Sequence, residues 1–163
     1  MNTYKEYRGN IKSGDLLGWS HRGWKTFHDI KIQIVRMLTQ SEYAHVGTAW
    51  VVGDRVFVIE AVKPRARIYP LSKLGSFYHI PLKAAWSPST EELALSYVGS
   101  DYKQLEAIKA FFKPLTKGSV SECAALATTI AAHDGIDLGT RATPDSVILQ
   151  AQMYGYPTHF IKN

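Results

Sequence analysis

The sequence predicts an α+β protein with a mostly antiparallel sheet packed against helices. Three observations carry that reading. β-branched and aromatic residues crowd the middle of the chain, from Tyr43 to Leu82. Segments with helical spacing and capping residues lie to either side. Gly53-Asp54 divides the richest strand region as a two-residue hairpin turn. Strands gathered in the centre with helices at both ends favour an antiparallel sheet over alternating βαβ units.

Each element follows in order. Asp15 to Ser20 reads as a short strand after the Lys12-Ser13-Gly14 turn. Phe27, Ile30, Ile34, Met37 and Leu38 form the stripe of an amphipathic helix over Phe27 to Leu38. Tyr43 to Val52 and Arg55 to Val62 are the two arms of the hairpin. Arg67 to Leu71 and Phe77 to Leu82 are further strands. Ser89 with Glu92 makes a capping box for a helix running to Val98, and Gly99 stops it. Leu105, Ile108 and Phe112 mark another helix, broken by Pro114. Ser119 with Glu122 is a second capping box, opening a helix that ends near His133 with Gly135 as its left-handed cap. Thr143-Pro144 starts a last helix, with the proline at its first position.

Composition narrows the function classes. The chain has 163 residues with neither linker nor repeat, and it reads as one domain over 1–163. Hydrophobic residues make up 45%, enough for a packed core and against disorder. No apolar run approaches the roughly 20 residues of a membrane helix, so no transmembrane segment is expected. Met1 to Gly9 is polar and lacks a signal peptide's apolar stretch. The single cysteine excludes an internal disulfide and suits a reducing compartment. A cytoplasmic protein is therefore expected, and a phage-encoded or virion-associated one fits the same observations. The net charge of +5 reads most simply as a solvated basic surface. Its densest group, Lys63, Arg65 and Arg67, would also suit an acidic partner. No nucleic-acid motif accompanies it, so no nucleic-acid partner is expected. No cofactor is expected, and His21, His28, His79, His133 and His159 lack the spacing of metal ligands. His133, at a helix end, reads as a partner of the dipole.

The chemistry rests on Cys123, His45 and Glu60. A thiol in the first turn of a helix feels the positive end of the dipole, which favours the thiolate. With Gly53 and Asp54 as loop residues, Val52 faces Arg55, Gly47 faces Glu60 and His45 faces Val62. Side chains alternate along a strand, so His45, Gly47, Glu60 and Val62 share one face. His45 and Glu60 are then diagonal neighbours, with Cα atoms roughly 7–8 Å apart. Gly47, opposite the glutamate, has no side chain to block it. The rest of the hairpin is apolar on both faces: Ala49, Val51, Val56 and Val58 on the His45 side, and Val46, Trp50, Phe57 and Ile59 on the other. A carboxylate in such a setting needs a partner. Cys123, Leu126, Ala127, Ile130 and Ala131 form the apolar stripe of their helix, which turns the thiol inward. Alone, a cysteine on an apolar helix face is usually a core residue. The conjunction with a His–carboxylate pair is what points to a nucleophile and its base.

Several segments resemble the YiiX-like proteins, circularly permuted members of the NlpC-type papain-like amidase and peptidase group. They are Gly14-Asp15-Leu16-Leu17, Ser41-Glu42-Tyr43-Ala44-His45-Val46-Gly47, Val58-Ile59-Glu60-Ala61-Val62, the helix of Cys123, and Thr143-Pro144-Asp145. The resemblance spans Gly14 to about Met153. It implies a permuted papain-like fold in which histidine, polar residue and cysteine follow in that order. It also implies Cys123 as nucleophile, His45 as general base and then acid, and Glu60 as the group that orients the imidazole. Tyr102 resembles a tyrosine that precedes a helix in relatives, where it would line the pocket or donate to the oxyanion; an amphipathic aromatic at a helix start is the simpler reading. The implied substrates are peptides, cell-wall peptides or lipid-acyl groups. A lipid acyltransferase or thioesterase using the same trio, and an inactive papain-like module that binds a partner, are the rival functions.

Overall fold

The computed structural model describes residues 2–20, 42–83, 85–101, 104–105, 121–140 and 142–163. Among them lie seven strands in one sheet: β1 (Asn2–Thr3), β2 (Leu16–Ser20), β3 (Tyr43–Val52), β4 (Arg55–Val62), β5 (Arg65–Pro70), β6 (Phe77–Ile80) and β7 (His159–Lys162). Their order across the sheet is β1-β7-β6-β2-β3-β4-β5. Every neighbouring pair is antiparallel except β1 and β7. The described helices are α1 (Tyr4–Tyr7), α2 (Pro88–Ser96), α3 (Glu122–His133) and α4 (Pro144–Met153). The architecture is α+β with a mostly antiparallel sheet, as the sequence predicts.

The sheet separates two apolar layers. On one face Val46 and Ile59 pack with Leu126, Ala127 and Ile130 of α3 and with Val147 and Ile148 of α4. On the other, Ala49, Val56 and Val58 pack with Leu17, Phe77, Ile161 and Tyr7. The alternation read from the hairpin is therefore the observed one. α3 lies on β3 and β4, α4 on β3 and β2, and α2 packs on α3. Leu126, Ile130 and Ile148 are wholly enclosed. Each such side chain contributes about 1.5–3 kcal/mol through burial, which fixes α3 and α4 on the sheet.

Local chemistry sets the ends of the helices, at places that differ in part from the expectation. Ser87, not Ser89, caps α2: its side chain accepts from Thr90 N–H, and Pro88 takes the first helical position. Asp134 stabilises this arrangement by accepting from the hydroxyls of Ser87 and Thr90. Ser121 caps α3, accepting from Ala124 N–H; the expected cap, Ser119, lies outside the described residues. α3 ends at His133, and Gly135 (φ 76) turns the chain so that its N–H and that of Ile136 reach the carbonyls of Ala132 and Ala131. That is a Schellman closure, which a left-handed glycine allows without strain. His133, read as a dipole partner, is hydrogen-bonded through Nδ1 to Thr90 Oγ1 at 2.7 Å. Thr143 caps α4 with Pro144 following, as expected.

The strand limits differ modestly. β5 starts at Arg65, because Lys63 and Pro64 form a two-residue connection. β6 ends at Ile80, since Pro81 has no N–H for the ladder. The expected helices at Phe27–Leu38 and through Ile108 and Phe112 lie outside the described residues.

A second polar group ties the far layer together. His79 Nε2 is 2.8 Å from Asp15 Oδ2, and Tyr7 Oη is 3.0 Å from His79 Nδ1. Asp15 also accepts the N–H groups of Lys12 and Leu82. Asp15 and His79 are fully enclosed, and the network satisfies them there.

Candidate active site

His45 stands on β3 two residues before Gly47, and Glu60 stands on β4. The ladder between the strands runs from Val52↔Arg55 to Thr48↔Ile59. Continued by one step, this register puts Gly47 opposite Glu60, as the hairpin reading requires. The observed ladder stops one step short of that pair, and a Cβ built on Gly47 would lie 2.5 Å from Val58 Cγ2 and 3.3 Å from Glu60 Cβ, so the glycine is close beside the glutamate. Glu60 Oε2 lies 2.7 Å from His45 Nε2. The carboxylate is 2% exposed and the imidazole 25%. Trp19, paired with His45 across β2 and β3, sets its ring 5.5 Å from the imidazole.

Cys123 approaches from the other layer. It is the second residue of α3, buried in the core that contains Val46 and Ile59. The imidazole is on the strand face that bears Trp19, yet it lies close enough to the thiol for each to shift the other's titration. The hairpin explains the meeting. Hydrogen-bonded pairs recur at every second residue from the turn, at Val52, Trp50 and Thr48. Val46 is the next residue of that series, beyond the last pair of the ladder. Its N–H is among the groups that lower the Cys123 thiol. The thiol thus sits where β3 and β4 part. Glu60 holds Nε2, which leaves Nδ1 as the ring nitrogen for the thiol.

Two further contacts set this geometry. Ser121 Oγ is 3.3 Å from Cys123 Sγ. Its hydroxyl can donate to sulfur while its lone pair accepts from Ala124 N–H. Asp145, at the start of α4, accepts from the N–H groups of Glu42 and Tyr43 with one oxygen, each at 2.9 Å. That pins the start of β3, where Ser20 pairs with Tyr43 and Trp19 with His45, so Ala44 is the extra residue of a bulge beside the histidine.

Electrostatics couple the groups. Burial pushes the Cys123 thiol up, but the His45 charge and hydrogen bond, Ser121 and the Val46 N–H outweigh it and hold the thiol below its ordinary value. Burial lowers the His45 imidazole, and the Cys123 thiolate together with Glu60 more than offsets this, raising it to about 10. Burial raises Glu60, and His45 and Arg67 lower it overall. The arrangement favours a thiolate–imidazolium pair backed by an ionised carboxylate.

The structure therefore brings Cys123, His45 and Glu60 together. Tyr102 lies outside the described residues. Reading the sequence missed Arg67, whose Nη2 and Nε lie 2.7 and 2.9 Å from Glu60 Oε1. The signal was present: a two-residue connection at Lys63-Pro64 puts Arg67 opposite Glu60. It also missed Ser121 as the cap that touches the thiol, and Asp145 as the tie to β3.

These features define an α+β chain with a Cys–His–Glu cluster at the end of an antiparallel hairpin. The architecture is YiiX-like: it superposes on the crystal structure of metalloprotein yiiX from Escherichia coli O157:H7, a DUF1105 protein, with a TM-score of 0.54 at 18% identity, over 79% of this chain and 69% of that one. At that identity the likeness is one of fold. No family model matches the chain, and no curated protein matches it. Among the described residues, no group of three or more His, Cys, Asp or Glu side chains is placed to hold a metal ion. No described helix is long and apolar enough to cross a membrane.

Proposed function

We propose that this protein is a cysteine hydrolase of circularly permuted papain-like, NlpC-type fold that cleaves amide bonds in peptides, cell-wall peptides included, by acyl transfer. The observation that carries the reading is the imidazole of His45, held by the Glu60 carboxylate at 2.7 Å and coupled electrostatically to the Cys123 thiol. That is the constellation of an activated nucleophile, its base and an orienting group.

The chemistry follows from the geometry. The Cys123 thiolate attacks the carbonyl carbon, and the His45 imidazolium keeps the proton. Cys123 N–H, in the first turn of α3, has no acceptor within the helix and points with the dipole toward the developing oxyanion. His45 then protonates the leaving nitrogen, the amine departs, and a thioester remains on sulfur. Neutral His45 next deprotonates a water, which attacks the thioester. The acid leaves, and the thiolate–imidazolium pair is restored. Glu60 holds Nε2 throughout, fixing the ring and stabilising its charge.

The test is alkylation of Cys123 by iodoacetamide against pH, in the native protein and in His45→Ala. The native thiol is expected to react well below its ordinary value of 9.0. The onset in His45→Ala should move upward, because burial then acts without the imidazolium. An ordinary profile that the substitution leaves unchanged would overturn the hydrolase. With activation established, paired amide and ester substrates separate a peptidase from an acyl-lipid enzyme.

A further inference from the structure

We propose that Arg67 is a positioning residue for the Cys123–His45 pair: by occupying Oε1 of Glu60 it commits Oε2 to His45, and so fixes the imidazole toward the thiol. The inference rests on the hydrolase reading above and deepens it.

The geometry differs from that of a surface ion pair. Arg67 is directly opposite Glu60 across β4 and β5. Its Nη2 and Nε converge on a single oxygen, Oε1, at 2.7 and 2.9 Å. A guanidinium fork commonly takes both oxygens of a carboxylate. Such a grip on Glu60 would compete with His45 for Oε2. Here the two partners divide the carboxylate, one oxygen each, and Oε2 lies 2.7 Å from His45 Nε2. The carboxylate has 2% exposure, so it is held by these partners more than by water. Tyr69, two residues along β5, sets its ring 4.5 Å from the guanidinium carbon and fixes the plane of the fork.

The charged groups around Glu60 come from three elements: His45 on β3, Arg67 on β5 and, through the imidazole, Cys123 on α3. Without Arg67 the carboxylate would have one fixed partner and freedom to rotate about its last bond. His45 would then lose the group that orients it. A lysine at this position restores the charge, but as a single point that cannot make both bonds.

The experiment is the pH dependence of iodoacetamide alkylation in the native protein, Arg67→Met, Arg67→Lys, Glu60→Gln and the Glu60→Gln/Arg67→Met pair, with thermal unfolding recorded for each. Arg67→Met is expected to raise the pH at which alkylation begins by about one unit, which is about tenfold slower reaction on the acid side. Arg67→Lys should recover only part of that rate. In the Glu60→Gln background, Arg67→Met should add little, because the arginine acts through the carboxylate. A native profile in Arg67→Met, or an equal shift with and without Glu60, would overturn the proposal. So would full recovery in Arg67→Lys, since charge alone would then suffice. If Arg67→Met fails to unfold cooperatively, the partial loss in Arg67→Lys decides the matter. An unactivated thiol in the native protein would instead defeat the hydrolase reading, and this one with it.

Discussion

Gly47 lies close beside Glu60, just past the last ladder pair of β3 and β4, and its missing side chain leaves room there. A Cβ there would fall 2.5 Å from Val58 Cγ2, 3.1 Å from the Ile59 carbonyl oxygen and 3.3 Å from Glu60 Cβ. The first distance is below any ordinary contact, and the other two press on the strand that carries the glutamate. Gly47→Ala should therefore cost about 1–3 kcal/mol by overpacking. It should also move the alkylation onset of Cys123 upward, because Glu60 is displaced from the imidazole. Denaturant unfolding and the alkylation profile check the two effects separately. An alanine variant with the native profile would show that the hairpin has slack at this point.

Stability against pH should carry the mark of the ion pair. His45 is raised from 6.5 to about 10. Its stabilisation is fully present below 6.5 and lost as the pH rises through about 10. Cys123 is lowered from 9.0. Its stabilisation is present above 9.0 and lost as the pH falls through the folded value. Between 6.5 and 9.0 the unfolded chain holds one proton on the two groups, and a folded thiolate–imidazolium pair holds one as well. The two trends cancel there. The difference in unfolding free energy between the native protein and His45→Ala/Cys123→Ala should be level across that window and fall between 9.0 and about 10. Other titrating groups cancel in the difference. A steady slope through the window would mean that the folded pair holds two protons or none there, and would overturn the single-proton pair.

Ser121 has two tasks, and removing it should separate them. Ser121→Ala takes away the cap of α3, which costs about 1 kcal/mol. It also removes a donor 3.3 Å from the Cys123 sulfur. Alkylation should begin at higher pH than in the native protein, by less than in His45→Ala, since the imidazolium remains. Ser121→Asp keeps a capping oxygen and brings a like charge to the thiolate. It should hold the helix while moving the onset further upward.

Much of the fold and half of the site were legible in the order of residues. Gly53-Asp54 fixes the hairpin register, because loop length sets which residues face each other. From that register the closeness of His45 and Glu60 follows without knowledge of anything else. Gly135 and Thr143-Pro144 end and begin helices through local backbone preferences, and the observed limits agree. β1, two residues long, is too short to show a period, and β7 went unread as well. The cap of α2 was expected two residues late, at Ser89, and that of α3 two residues early, at Ser119, because either serine in each segment can accept an N–H and neighbours decide which does. Asp134 makes that choice for Ser87.

The sequence by itself determined the hairpin, the face that carries His45 and Glu60, and a cysteine in the first turn of an apolar helix. Only the tertiary structure decided that the three meet. Cys123 and His45 belong to opposite layers of the sheet, and no local pattern states where along β3 a helix will come to rest. Packing of Leu126 and Ile130 against Val46 and Ile59 sets that position. The ladder between β3 and β4 stops at Thr48↔Ile59, and the Val46 N–H beyond it is among the groups that lower the thiol. The division of Glu60 between Arg67 and His45 is likewise a matter of angles and distances among three strands, which residue order constrains to neighbours but not to a single oxygen.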